Sequence, residues 1–108
     1  MSRTVITFTP AVDPWPVIDA WATSTNYKVV GHHAWGRIYE RGDGFFVSKS
    51  FAQFDVTQAG LTVSAWAPFW ISGTELDVHS SDPLNFFPRR KARALVNRLL
   101  ASFGVPPI

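Results

Sequence analysis

No cysteine occurs anywhere in the chain, so disulfides, thiol nucleophiles and thiolate metal sites are excluded. That absence fits a cytoplasmic location. No apolar run approaches the roughly 18 residues that a transmembrane helix needs. The segment Met1–Phe8 alternates and lacks a continuous apolar core, so it does not read as a secretory signal. Charged residues are sparse, at 17% of the chain, while hydrophobic ones make up 46%; that balance belongs to a globular chain and not to a disordered one. The familiar catalytic signatures are missing as well: there is no Walker loop, dinucleotide fingerprint, nucleophile elbow or His-Glu-x-x-His. No RRM-type aromatic and basic pattern occurs. Nothing argues positively for catalysis, and no cofactor or metal is expected.

What is present begins with an uneven distribution of charge. The formal net charge is only +2, but all eight acids lie in residues 1–82 together with five bases, and residues 83–108 hold five bases and no acid. An acidic body is joined to a basic end, an asymmetry that favours an anionic partner or internal pairing of the two parts. At 108 residues the chain is long enough for one core, and a single domain over 1–108 is expected.

The hydrophobic periodicity gives the elements. Residues 4–9 alternate and read as a strand that Pro10 ends. Asp13-Pro14 then has the form of a helix start, with Asp as N-cap and Pro in the first helical position. Val17, Ile18 and Trp21 share one face, and Thr23-Ser24-Thr25-Asn26 is read as the stop, giving a helix of two to three turns. From Tyr27 to His79 the period changes to two. Strands are expected over 27–33 and 35–41, with Gly31 at a bend or bulge, then over 45–56, 61–67 and 74–79. Gly42-Asp43-Gly44 is a hairpin signal, Gln58-Ala59-Gly60 makes a turn, Pro68 interrupts, and Ser72-Gly73 and Ser80-Ser81-Asp82-Pro83 are loops. Pro88 is expected to open a second helix. Its apolar positions Ala92, Leu95, Val96, Leu99, Leu100 and Phe103 recur at helical spacing, and Gly104 followed by Pro106-Pro107 ends it. The expected fold is α+β: an antiparallel sheet of five to six strands with two helices packed on one face, in the order β-α-β(4-5)-α.

Four sets of residues are candidates for function. The first is Pro88-Arg89-Arg90-Lys91-Ala92-Arg93. Cations in the first turn of a helix oppose its dipole, at a cost of about 0.3–1 kcal/mol each when exposed. Arg89, Arg90, Lys91 and Arg93 together with the free N–H groups would form an anion or partner-binding site. The competing explanation is an intramolecular clasp onto Glu75 and Asp77 just upstream, and the charge tally tilts toward the clasp. The second set is Glu75, Asp77 and His79, which share one face of a strand. Three such positions span about 13 Å, too far for a single ion without a bend, so the ordinary polar face of an alternating strand is expected. The third is His32-His33, whose side chains point to opposite faces and do not converge on one metal. The fourth is aromatic: most of the five Trp, nine Phe and two Tyr must be core, but Trp66, Phe69 and Trp70 are candidates for a pocket or interface.

Trp21, Gly42-Asp43-Gly44-Phe45, Ala65-Trp66, Glu75 and Pro88-Arg89-Arg90 together form a pattern that resembles small uncharacterised bacterial α+β domain proteins with no assigned activity. The resemblance implies a bacterial α+β domain and no particular chemistry. The element order is also similar to TATA-binding-protein-like and helix-grip arrangements, which is an analogy of fold alone. The function expected is a non-catalytic binding or interaction module whose partner is anionic, a protein or a second copy. A nucleic-acid-binding domain, and a small-molecule-binding protein or enzyme with an aromatic-lined pocket, stay open beside it.

Overall fold

The computed structural model describes residues 3–42, 49–68, 75–78 and 86–108. In chain order the elements are β1 (Thr4–Phe8), α1 (Pro14–Thr25), β2 (Lys28–His33), β3 (Gly36–Arg41), β4 (Ser50–Thr57), β5 (Gly60–Pro68), β6 (Glu75–Asp77) and α2 (Phe86–Ser102). The fold is α+β, with six antiparallel strands in one sheet and two helices among the described residues.

Strands that follow one another pair as hairpins: β2 with β3, β3 with β4, β4 with β5 and β5 with β6. The exception is β1, which crosses to the far edge and pairs with β5, Thr4 opposite Ala65 and Phe8 opposite Leu61. Both β1 and β6 hydrogen-bond to β5, at residues 61–65 and 66–68 respectively, and the Val78 N–H donates to Thr4 Oγ1 where they meet (3.1 Å). The strand order is thus β1-β5-β4-β3-β2, with β6 continuing the β1 edge. The register of β2 against β3 shifts between Val29 and Gly31, which is the bulge expected at Gly31. Gly60 begins β5 at φ +116°, and a Cβ there would meet the main chain of Phe8 and Thr9. Only glycine lets the β4–β5 turn pass so close to the end of β1.

Alternation sends Tyr39, Ala52, Phe54, Leu61 and Val63 to one face of the sheet. There they join Ile18, Trp21 and Ala22 of α1 and Leu95 and Leu99 of α2 in one buried cluster. Phe54 sits at its centre, fully buried, edge-on to Trp21 (5.8 Å between centroids) and to Tyr39 (5.4 Å). A second cluster joins Ala65 and Val78 to Ala92, Val96 and Leu100 of α2. The two helices are tied by a polar bond inside the core: the Trp21 indole N–H donates to the Leu95 carbonyl (2.8 Å). Without that acceptor the buried indole would be left unsatisfied.

Several boundaries differ from the sequence expectation. In α1 the run Thr23-Ser24-Thr25 does not break the helix, because Ser24 and Thr25 turn their hydroxyls back onto the Trp21 carbonyl (2.9 and 2.6 Å). The end comes one residue later, with Asn26 in the left-handed conformation (φ 64°). The start is as read: Asp13 caps the Trp15 N–H (3.2 Å) and Pro14 is the first helical residue. Pro68 ends β5 from inside, paired with Glu75, rather than interrupting before it; at the last position of a strand the missing N–H costs little. Trp35 lies in the turn before β3 and not in the strand. α2 begins at Phe86, two residues before Pro88, so the proline stands within the first turn, where its lost donor is harmless. The helix ends at Ser102, and Gly104 takes φ +72° while Val105 N–H reaches the Leu100 carbonyl (2.9 Å). The residues of the Gly42–Gly44 turn beyond Gly42, the first part of the strand expected over 45–56, the Ser72-Gly73 turn and the Ser80–Pro83 loop lie outside the described residues, as does His79.

Candidate functional site

The early α2 start changes the surroundings of the basic run. Arg89, Arg90 and Lys91 become the fourth to sixth helical residues, past the turn where the dipole opposes a cation most. Their environments then diverge. Arg89 is buried, with its side chain 6% exposed. Its Nε donates to the Asp77 carbonyl (2.7 Å) and its Nη2 to Asp77 Oδ1 (2.6 Å). A single arginine thereby grips both the backbone and the carboxylate of β6, fastening the short strand to the helix. Arg90 and Lys91 are exposed, Arg93 is half-buried, and Arg98 two turns on is exposed again. Ala94 and Ala101 lie exposed along the same helix.

Glu75 does not join the clasp with Arg89. Its carboxylate takes two bonds from Arg3 (2.7 and 2.9 Å), which lower its pKa below the ordinary value and raise that of Arg3. Arg3 also donates to Gln53 Oε1 (3.0 Å), and Gln53 donates in turn to Asp55 Oδ2 (3.0 Å). Trp66 belongs to this polar row, on the face opposite Phe54 and Val63. It is buried: Phe51 stacks parallel to it (5.3 Å, 10°) and the Arg3 guanidinium lies 3.8 Å from its ring centroid. Phe69 and Trp70, named with Trp66 as pocket or interface residues, lie outside the described residues.

His32 and His33 are both exposed, on β2 opposite Arg37 and Gly36. His33 Nε2 lies 3.0 Å from Asp55 Oδ1, yet that buried oxygen receives no hydrogen bond among the described residues. The approach is one of charge, complete only when the imidazole is protonated, and not a directed hydrogen bond. Gly36 makes room for it, since a Cβ there would meet Asp55 Oδ1 and the His33 ring. Among the described residues no three His, Asp or Glu side chains group as metal ligands.

A polar group that sequence reasoning missed surrounds Arg37. Its Nη1 donates to Asp19 Oδ1 (3.0 Å) and to the Tyr39 hydroxyl (3.1 Å), which itself donates to Asp19 (2.8 Å). The guanidinium lies over the Trp15 ring, 4.5 Å from its centroid. Burial pushes the Tyr39 phenol above its ordinary pKa, and the bond to Tyr39 pushes Arg37 up. The signal was there: alternation from Tyr39 puts Arg37 and Arg41 on the same face as a core tyrosine, so each needs a partner near α1. Arg41 finds it in the Thr25 carbonyl (3.1 Å).

Two concavities lie on either side of the start of α1. A groove of about 560 Å³ runs between the helices beside Val17, Ala20, Trp21 and Arg98. A cleft of about 520 Å³ opens at the β2–β3 turn beside Trp15, His33, Trp35 and Arg37. Comparison with family models, with curated proteins and with solved structures finds no match to this chain.

Proposed function

We propose that this chain is a non-catalytic binding module in which both helices lie on one face of the sheet and α2 offers cations to an anionic partner. The observation that carries this reading is the division of labour along α2. Arg89 is held by Asp77, while Arg90, Lys91 and Arg98 are exposed on a helix that contains no acid. Arg90 and Arg98 are separated by about 12 Å of helix rise, a spacing suited to an extended polyanion rather than to a single phosphate. The exposed Ala94 between them keeps the approach open. Insertion of α2 into a membrane is disfavoured in this fold, because Leu95, Val96, Leu99 and Leu100 are spent on the core. Among the described residues no helix is long and apolar enough to cross a membrane. A nucleic-acid strand is the polyanion that best matches such a row of cations.

The test is titration with a fluorescent single-stranded oligonucleotide at two salt concentrations. Three phosphate contacts predict a loss of affinity of about twenty-fold between about 50 and 200 mM salt. The triple reversal Arg90→Glu, Lys91→Glu, Arg98→Glu should abolish binding while leaving the unfolding midpoint near that of the parent. Equal binding by parent and triple variant, or no binding at low salt, rejects the reading.

A further inference from the structure

We infer that the cleft at the β2–β3 turn is a binding site for a small planar aromatic ligand carrying a carboxylate or a phosphate. The inference does not involve Arg90, Lys91 or Arg98 and stands apart from the reading of α2.

The size comes first. About 520 Å³ falls within the range of sites that hold small organic ligands. The lining is more telling. Trp15, His32, His33, Trp35, Arg37 and Val56 surround the space, and among the described residues no carboxylate lines it. Trp35 is 61% exposed, and so large a wet aromatic surface lowers its free energy when a flat ring covers it. The indole is not a loose tip. The Trp35 carbonyl accepts the Val56 N–H (2.8 Å), which ties the turn to the end of β4. The indole also meets the His33 ring edge-on (5.2 Å, 70°), and His33 is steadied beside Asp55 over the space that Gly36 leaves.

The anionic end of the ligand is assigned by Arg37. Both of its hydrogen bonds leave from Nη1, toward Asp19 and Tyr39. Nε and Nη2 make no hydrogen bond among the described residues, and together they form the two-donor edge that matches a carboxylate or phosphate. Asp19 and Tyr39 hold one side of the guanidinium and the Trp15 ring lies against its face, so little freedom remains to be lost when an anion docks. An aromatic platform beside an oriented guanidinium edge selects a ring joined to an acidic group. Neither half of such a ligand alone satisfies both features.

The probes are indole-3-acetate for the carboxylate and AMP for the phosphate ester, with inorganic phosphate and adenosine as the two halves. Binding is read by quenching of tryptophan fluorescence and by NMR shifts of the Trp35 indole N–H. At least one of the two acidic aromatics should saturate, and which one binds more tightly distinguishes the two sources of the acid. Each half should bind about ten-fold or more weakly than the whole. Trp35→Ala and Arg37→Lys should each weaken binding about ten-fold or more. Trp35 is exposed and Arg37→Lys keeps the charge near Asp19, so both variants should fold, which unfolding curves check. The triple reversal on α2 should leave this binding unchanged. Failure of both acidic aromatics to saturate overturns the inference, as does adenosine binding as tightly as AMP or binding that neither cleft variant alters.

Discussion

Removing one end of the Arg89–Asp77 pair should cost far more than removing the other, and the direction is opposite to what the size of the side chains would give. The Arg89 side chain is 6% exposed and that of Asp77 is 31% exposed. In Asp77→Ala the guanidinium stays buried but loses the carboxylate that lay 2.6 Å from Nη2, while its Nε still reaches the backbone carbonyl of residue 77. The loss of a charge-assisted bond to a buried ion is about 1.5–3 kcal/mol, with about 3–5 kcal/mol as the limit for a fully broken buried pair. Because the carbonyl remains, we expect about 2–3 kcal/mol. In Arg89→Met the buried charge is gone, the methionine keeps most of the packing against β6, and the Asp77 carboxylate, 31% exposed, keeps its access to water. That change should cost about 1 kcal/mol or less. For a chain of this length about 4 °C of Tm accompanies each kcal/mol, so the two variants should differ by several degrees in thermal unfolding. Urea titration of the parent, both single variants and the double variant closes a cycle. The double variant should lie closer to Arg89→Met than to Asp77→Ala, since no buried guanidinium is left without its carboxylate. If Arg89→Met proves as destabilising as Asp77→Ala, the argument from burial is wrong and the clasp acts through packing.

Two further outcomes follow from the same structure. Gly60→Ala should destabilise by more than about 2 kcal/mol in urea unfolding, because φ is +116° and the new Cβ meets main-chain atoms of Phe8 and Thr9 that have no room to yield. Stability should also depend on pH at both ends. The Tyr27 and Tyr39 phenols are raised by burial, so their contribution is complete below the ordinary tyrosine value of 10.0 and is lost as pH rises from there through the folded values. The Glu75 carboxyl is lowered by its bonds to Arg3; its contribution is complete above 4.5 and is lost as pH falls through the folded value. Tyrosinate absorbance in folded and unfolded protein, with urea midpoints across the pH range, checks both limbs, and removal of the acid limb in Arg3→Met assigns it to Glu75.

Local patterns in the chain already carried the elements. Alternation and turn residues separate the strands, Asp13-Pro14 starts α1, and the spacing from Ala92 to Leu100 marks the face of α2 that the core receives. These are properties of neighbours along the chain, where a period of 2 or 3.6 converts position directly into direction. The α+β class and the antiparallel sheet follow from them. What is paired with what does not. A clasp of the basic run onto Asp77 was open from the sequence, but nothing local told that β1 would cross to β5, that Glu75 would find Arg3 72 positions away, or which of the adjacent Arg89 and Arg90 Asp77 would hold. Neighbours on a helix point about 100° apart, which carries Arg89 toward β6 and leaves Arg90 in solvent. The cleft at Trp35 was equally hidden, because it is assembled from α1, the β2–β3 turn and the end of β4. The chain determined which residues are apolar, which are charged and how each segment curls; the tertiary structure alone decided which charges are spent inside the fold, because burial and pairing depend on distances that no local spacing encodes.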